Sequence, residues 1–238
     1  MRIAIAAART VMWVIVFFIG SALVVVLGLP CALFSSRALA LAVRSWALLN
    51  RGSARWILGQ RVVVEGEMPR GAAFLVSKHE AMFETIDVML LLDRPVVFTK
   101  KELFAIPFWG PLATRYGLIP IERTAGASAL RTMRRAAAAT IAAGRPIILF
   151  PEGTRVPHGQ SPSIRSGFAG VYKLLGMAAV PVAVDSGRLR AHGWLVGWIR
   201  LPGIITYRVG EVIPPGLPRD EAEALAHKAI NALNNKNN

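Results

Sequence analysis

The first sixty residues differ from the rest of the chain in their pattern of apolar and polar positions. No charged residue occurs from Thr10 to Ser36, and most side chains in this stretch are apolar. About 20 apolar residues suffice to cross a bilayer, and this stretch is longer than that. A cleaved signal peptide has a shorter apolar core of about 7 to 15 residues, so the pattern favours an uncleaved membrane anchor.

The segment that follows mixes arginine with leucine, alanine and tryptophan. Arg37, Arg44, Arg51 and Arg55 recur at intervals that place them broadly on one face of a helix. The opposite, apolar face is then suited to lie in a membrane interface, while the alternative is an ordinary core helix. Because arginines flank the apolar stretch on both sides, charge does not distinguish a spanning helix from a hairpin in one leaflet.

After residue 60 the pattern changes to short apolar runs that alternate with longer segments of helical periodicity. Apolar runs separated by helices indicate an α/β fold, in which helices flank a mixed or largely parallel sheet. The predicted strands are RVVVEG, AAFLVSK, RPVVFTK, LIPIER, RPIILFPEG, AAVPVAVD and IITYRVGEVI. The predicted helices are residues 80–92, 128–143, 167–175 and 219–233.

This change divides the chain into membrane-anchoring helices over residues 1–60 and a separate domain over residues 61–238. Composition supports a membrane partner, since 54% of the residues are hydrophobic and the formal net charge is +14. Basic residues are attracted to anionic lipid headgroups. The arginines are scattered and no zinc-finger or RNA-binding motif occurs, so we expect no nucleic-acid partner. The single cysteine, Cys31, cannot form an intrachain disulfide.

One histidine stands where a predicted strand meets the next helix, and three acids follow it closely. His79 ends the run AAFLVSKH, and the acids are Glu80, Glu84 and Asp87. Catalytic groups commonly emerge at such junctions, and a carboxylate behind an imidazole makes the ring a general base. Glu84 can meet the ring only if His79 precedes the regular helix. Spacing alone does not choose among the three acids, and a histidine with a purely structural role is the alternative.

The histidines do not suggest a metal site. An HExxH zinc motif starting at His79 would require histidine at position 83, where Phe83 stands. The remaining histidines lack ligand-like spacing to a cysteine or to a second histidine. We therefore expect no metal.

Basic residues and glycines occur together at the edges of two predicted strands. Lys100 and Arg123 lie in KKELFAIPFWGPLATRYGLIPIER, and Arg155 lies in FPEGTR. Positive charge beside accessible backbone N–H groups suits a phosphate, whereas no nucleotide-binding glycine loop occurs. A general base, a phosphate site and an apolar N-terminus together favour an enzyme whose substrate carries a hydroxyl, a phosphate and a lipid tail.

Taken in their order along the chain, these motifs resemble those of 1-acylglycerol-3-phosphate acyltransferases of the bacterial PlsC type. His79 begins the first block, with Glu84 at the position where the family usually has aspartate. The second block is matched by KKEL and GLIPIER at Lys100, Gly117 and Arg123. FPEGTR matches the third block without change, and VPVAV matches the fourth, apolar block. The ordered set covers about residues 76–184, and FPEGTR is its most specific member.

The resemblance implies transfer of a fatty acyl group from a thioester to the sn-2 hydroxyl of lysophosphatidic acid, giving phosphatidic acid. His79 would act as the general base and Glu84 would orient it. The residues 61–238 would then form the catalytic domain. The expected phosphate ligands are Lys100, Arg123 and Arg155, and the residues expected to shape their site are Glu152, Gly153 and Thr154.

The resemblance also implies the partners and location of the chain. The donor would be a thioester of acyl carrier protein or of coenzyme A, with no further cofactor, and the enzyme would bind membrane lipid. It would lie at the bacterial inner membrane with its catalytic domain on the cytoplasmic side. Two alternatives remain: a sister acyltransferase acting on glycerol 3-phosphate or a lyso-ornithine lipid, and a catalytically silent membrane-binding protein on the same scaffold.

Overall fold

A computed structural model describes residues 1–121, 127–165, 167–193 and 195–235 of the chain. The helices in these ranges are α1 (Arg2–Phe34), α2 (Ser36–Ser53), α3 (Met82–Leu91), α4 (Trp109–Tyr116), α5 (Ala127–Ala142), α6 (Gly167–Leu175) and α7 (Arg219–Ile230). The strands are β1 (Gln60–Glu65), β2 (Phe74–Ser77), β3 (Val96–Lys100), β4 (Ile119–Ile121), β5 (Ile147–Leu149), β6 (Ala179–Val184) and β7 (Gly203–Val209).

The strands form one mixed sheet in the order β1-β7-β6-β2-β5-β3-β4. Neighbouring strands are parallel except for β6 and β7, which run antiparallel. In the centre of the sheet, Leu75 of β2 lies between Val180 of β6 and Ile148 of β5. All four residues of β2 are buried, which explains why its sequence is continuously apolar rather than alternating. The predicted α/β fold with a largely parallel, mixed sheet is confirmed.

Helices cover both faces of this sheet. Leu75 and Ile148 belong to an apolar cluster that includes Trp13 of α1, so the N-terminal helices pack on this face together with α3. The neighbouring residues Phe74 and Ile147 point to the other face, where they pack with side chains from α5, α6 and α7. Successive strand residues alternate between faces, and burial of a large apolar side chain contributes about 1.5–3 kcal/mol to stability.

Helix α1 is long and apolar enough to cross a membrane, judged by length and composition over Arg2–Ala32. Only 17% of its most apolar window is buried inside the protein. Several of its large side chains are exposed, among them Ile15 and Ile19 at 53% and 58%. This surface is therefore an apolar face that the rest of the fold leaves uncovered.

Helix α2 returns along α1 and packs against α3. Ser35 starts it, since its hydroxyl accepts a hydrogen bond from the N–H of Ala38 at 3.0 Å. Gly20 of α1 permits close packing, because a Cβ there would meet the Leu49 side chain at 2.5 Å. The N-terminal helices end at a helical turn over Ala54–Leu58, directly before β1. Both segments contribute to one apolar cluster, and the division of the chain near residue 60 stays a prediction.

Some predicted elements differ in their bounds. The helix expected to begin at residue 80 begins at Met82, and the last helix ends at Ile230. Helix α4 was not predicted, because Gly110 and a proline in its first turn obscure the helical pattern. Gly110 is required there, since a Cβ would lie 1.9 Å from the carbonyl oxygen of Phe104.

Candidate active site

His79 lies in the loop between β2 and α3, where the carboxyl ends of the central strands meet. Its backbone N–H donates to Glu152 Oε2 at 2.9 Å, and its carbonyl accepts from the N–H of Val156 at 2.8 Å. The ring packs against Phe150, with the ring centroids 4.5 Å apart. The loop after β5 therefore fixes both the backbone and the ring of His79, at the edge of an α/β sheet where ligands commonly bind.

The imidazole of His79 is paired with Glu84. Nδ1 lies 2.9 Å from Glu84 Oε1, and the carboxyl group is completely buried while the histidine side chain is 18% exposed. A carboxylate can only accept, so this bond requires the proton on Nδ1 and leaves the lone pair on Nε2. The ring is thereby held in the tautomer that a general base needs, with one side open to solvent.

Protein donors fix the Glu84 carboxylate independently of the histidine. Oε1 accepts from the backbone N–H groups of Glu80 and Ala81, each at 2.7 Å, and Oε2 accepts from the Ser186 hydroxyl at 2.6 Å. The bond from Ala81 caps the start of α3. Since His79 precedes this helix, the five-residue spacing brings the ring and carboxylate together.

The two neighbouring acids have other partners. Glu80 pairs with Nδ1 of His158 at 3.0 Å and accepts from the N–H of Gly187 at 2.8 Å. Asp87 forms a bidentate ion pair with Arg51 of α2, at 2.7 and 2.8 Å. Burial raises the pKa of both Glu80 and Asp87, while the bonds with His158 and Arg51 oppose the shift. The structure thus places only Glu84, of these three acids, against His79.

Glu152 links the FPEGTR segment to the backbone of His79 by a hydrogen bond and to Lys78 by a buried ion pair. Its Oε2 accepts the His79 N–H, and its Oε1 lies 2.8 Å from the ammonium group of Lys78. Lys78 is completely buried and also donates to the carbonyl of Gln160 at 2.7 Å and to Asn231 Oδ1 at 2.6 Å. Sequence reasoning missed Lys78, and its position directly before the histidine was the available signal.

The family profile described as "Acyltransferase" matches residues 61–185. This range holds His79, Glu84 and the FPEGTR segment, and it exceeds half of the chain. The chain belongs to the acyltransferase family. It is 26% identical to the 1-acyl-sn-glycerol-3-phosphate acyltransferase of Pseudomonas aeruginosa over 82% of this chain and 72% of that protein.

A second relative and a solved structure are also similar to this acyltransferase. It is 27% identical to the mouse 1-acyl-sn-glycerol-3-phosphate acyltransferase alpha, over 76% of this chain and 65% of that protein. The fold is similar to the crystal structure of the 1-acyl-sn-glycerophosphate acyltransferase PlsC of Thermotoga maritima, with a TM-score of 0.73. That match covers 97% of this chain and 98% of the other, at 18% identity, and shows a shared fold.

The remaining FPEGTR residues of this acyltransferase form an exposed turn beside the histidine. Gly153 has a φ of 66°, a left-handed conformation that glycine adopts without strain, and its N–H donates to the carbonyl of Phe150 at 3.1 Å. Thr154 and Arg155 follow on the surface. The turn thus places one hydroxyl and one guanidinium near the carboxyl edge of the sheet.

The other two expected phosphate ligands are less well defined by the structure. Lys100 is exposed at the carboxyl end of β3, on the same edge of the sheet as His79. Within the described ranges, no hydrogen bond joins it to His79 or Glu84. Arg123 lies outside the described residues.

Arg200 precedes β7, which starts at the carboxyl edge of β6, and it was not identified from the sequence. Burial and the charge of Arg190 lower its pKa to about 10, with Glu84 acting in the opposite direction and Arg155 in the same one. Arg200 follows the motif-bearing region and belongs to none of the four blocks, so no pattern marked it. Residues 203–209 of β7 run antiparallel to β6, so the segment that ends in Arg200 lies at the sheet edge where the carboxyl ends of β6 and β2 meet.

An open cavity of about 450 Å³ lies elsewhere, between α2 and the end of α3. Its lining includes Arg37, Arg44, Leu92 and Arg94. Leu92 and Arg94 precede β3, whereas His79 follows β2, and the strands joining them through β5 are parallel. The cavity therefore lies toward the opposite edge of the sheet from His79.

In the part of the chain that the structure describes, no group of three or more histidine, cysteine or acidic side chains could hold a metal ion.

Proposed function

We propose that the chain transfers a fatty acyl group from an acyl thioester to the sn-2 hydroxyl of 1-acylglycerol 3-phosphate, giving phosphatidic acid. The observation that carries the proposal is the 2.9 Å pair between His79 Nδ1 and Glu84 Oε1 in a member of the acyltransferase family. Relatives in Pseudomonas aeruginosa and mouse are named for this acyltransferase activity, which supports the choice of acceptor.

His79 acts as the general base in this proposal. Its Nε2 takes the proton of the acceptor hydroxyl while the hydroxyl oxygen attacks the thioester carbonyl. The ester C–O bond forms, the C–S bond breaks, and the imidazolium returns its proton to the departing thiolate. Glu84 orients the ring and stabilises the imidazolium. General-base catalysis of this kind contributes roughly 10²- to 10⁴-fold to the rate.

The acceptor's phosphate would be bound by Lys100, Arg123 and Arg155. The neighbouring residues of FPEGTR have supporting roles: Glu152 accepts the His79 N–H, and Gly153 forms the turn that exposes Thr154 and Arg155. Guanidinium groups match phosphate oxygens with paired N–H donors, so Arg155 is suited to this role.

The enzyme works at a membrane surface in this account, where substrate and product reside. The uncovered apolar face of α1 contacts lipid, and the net charge of +14 attracts anionic headgroups. The donor is the thioester of acyl carrier protein or coenzyme A, and neither a further cofactor nor a metal takes part. The proposed location is the bacterial inner membrane, with the catalytic domain on the cytoplasmic side where these donors are found.

A direct assay tests the proposal. The full-length protein in mixed micelles is given acyl-carrier-protein or coenzyme A thioesters together with lysophosphatidic acid, glycerol 3-phosphate or a lyso-ornithine lipid. Mass spectrometry then identifies the acylated product. Phosphatidic acid from lysophosphatidic acid supports the proposal, whereas acylation of another acceptor alone, or of none, contradicts it.

A further inference from the structure

Arg200 is held by the apolar helix α1. It ends the segment between Arg190 and Arg200, whose ends form an antiparallel bridge. The backbone N–H of Arg200 donates to the hydroxyl of Thr10 at 2.9 Å, and Thr10 is buried and donates in turn to the carbonyl of Ala6 at 2.8 Å. The adjacent Ile199 packs against Ala6. The backbone at Arg200 is therefore fixed, so its side chain starts from a defined position.

In the part of the chain that the structure describes, the guanidinium of Arg200 has no acidic partner. Within the described residues, no hydrogen bond or ion pair joins it to an acceptor, although the side chain is partly buried. Among the charges that act on its pKa, those of Arg190 and Arg155 are positive and that of Glu84 is negative. With a pKa of about 10, the guanidinium stays protonated at neutral pH. A partly buried positive charge without a counter-ion is costly, so an anion bound there would relieve this cost.

The nearby groups leave this charge uncompensated. Glu84 already accepts from the His79 ring, from two backbone N–H groups and from Ser186. Arg190 donates its Nε–H to the carbonyl of Gly197 at 2.9 Å. Arg155 is exposed and makes no hydrogen bond or ion pair within the described residues. Arg155 lies in the turn after β5, and Arg200 precedes β7, which runs antiparallel to β6. Both residues therefore lie at the carboxyl edge of the central strands, where His79 meets Glu84.

We propose that Arg200 is a further binding residue for the phosphate monoester of the acceptor, acting together with Arg155. The proposal rests on the proposed function, since it takes the acceptor to be a phosphate-bearing lipid. Arginine presents a planar set of N–H donors that fits phosphate oxygens. Two such groups beside the general base would hold the phosphate while the acceptor hydroxyl meets His79. Through Thr10, the helix that faces lipid also fixes one of the phosphate ligands.

Substitution of Arg200 in the full-length protein tests this role. Arg200→Met removes the charge and keeps an unbranched side chain, and Arg200→Lys keeps only the charge. Arg135→Met is the matched control, because Arg135 is exposed on α5. We expect Arg200→Met to raise the KM for lysophosphatidic acid roughly 10-fold or more, as loss of a charged hydrogen bond does, with a smaller change in kcat. The KM of Arg200→Lys should lie between those of wild type and Arg200→Met, and the KM of Arg135→Met should equal that of wild type.

Equilibrium binding separates failure of this proposal from failure of the proposed function. Binding of lysophosphatidic acid and of monoacylglycerol, which lacks the phosphate, is measured in nonionic micelles without a donor, after circular dichroism has confirmed folding. We expect Arg200→Met to weaken only the binding of lysophosphatidic acid. Unchanged binding, or equal weakening for both lipids, overturns the role of Arg200. Absence of phosphatidic acid from the wild-type enzyme would overturn the proposed reaction and leave this binding result to decide on Arg200.

Discussion

Glu84 Oε1 contacts the His79 ring at 2.9 Å and the Ala81 N–H at 2.7 Å, so one oxygen both orients the imidazole and caps α3. The side chain folds back over the first turn of its own helix to do so. This conformation brings the carboxylate within hydrogen-bonding distance of the His79 ring. The orientation of the ring is thus tied to the start of the helix.

Replacing Glu84 should impair catalysis more than replacing either neighbouring acid. Glu84→Gln keeps an acceptor for the helix cap but removes the charge that stabilises the imidazolium. We expect kcat to fall about 100-fold or more, measured as the initial rate of acyl transfer at saturating substrates. Glu80→Gln and Asp87→Asn serve as controls, because these acids pair with His158 and Arg51. A larger loss in either control would assign the orienting role to that acid.

The buried pair of Lys78 and Glu152 should be required for stability and for placing His79. Lys78→Met leaves the Glu152 carboxylate buried without its partner, and breaking such a pair typically costs about 3–5 kcal/mol. We expect a lower thermal midpoint and a lower kcat. The double variant Lys78→Met with Glu152→Gln should recover part of the lost thermal midpoint, since no unpaired charge remains. Equal midpoints for Lys78→Met and wild type would show that the pair is not needed.

The ion pair between Arg51 and Asp87 should fasten the N-terminal helices to α3. Arg51→Met removes the partner of a completely buried carboxylate, and we expect unfolding to become easier by about 3 kcal/mol at neutral pH. Chemical denaturation in detergent measures this difference. Arg219→Met is the control, because Arg219 forms an exposed pair with Glu223 on α7, and it should change stability little.

The cost of removing Arg51 should depend on pH. Burial already raises the pKa of Asp87, and loss of Arg51 should raise it further. Below the ordinary pKa of about 3.9 the carboxyl is neutral in both folded and unfolded protein, so the cost is absent. It appears as the pH rises through the raised pKa, when the folded protein must hold an unpaired charge. A loss of folding stability in Arg51→Met that increased toward acid pH would contradict this prediction.

The exposed face of α1 should govern binding to lipid vesicles. Ile15→Asp combined with Ile19→Asp places two charges on this face, and each costs about 2.5–3.5 kcal/mol within an apolar membrane helix. We expect vesicle binding, measured by flotation, to fall more than 10-fold. Val212→Asp is the control, since Val212 is 59% exposed but lies outside the N-terminal helices. Retained binding of the double variant would mean that α1 does not supply the membrane contact.

The central strands were predictable because burial on both faces leaves a continuous apolar run, as in Phe74–Ser77 of β2. Spacing alone left the partner of His79 open among three acids, and only the resemblance to the acyltransferases selected Glu84. What distinguishes them is the partner each acid meets in the folded chain: Asp87 meets Arg51 and Glu80 meets His158. These contacts join residues 36 and 78 positions apart, which no local spacing reveals.

Residues whose contact partners are distant in the sequence were missed for the same reason. Lys78 reaches Glu152 and Asn231, and Ser186 reaches Glu84 over 102 positions. The segment that carries Arg200 contacts α1 through Thr10, which is 190 positions away. A sequence pattern records the order of residues along one element, whereas these positions depend on how separate elements pack.

The central claim is that His79 is the general base of acyl transfer to lysophosphatidic acid. The most direct measurement compares wild type with His79→Ala for phosphatidic acid formation, with lysophosphatidic acid binding measured in parallel. We predict that wild type forms phosphatidic acid, and that His79→Ala loses roughly 10²- to 10⁴-fold in kcat while binding the lipid with similar affinity. Turnover by His79→Ala close to that of wild type would contradict the account.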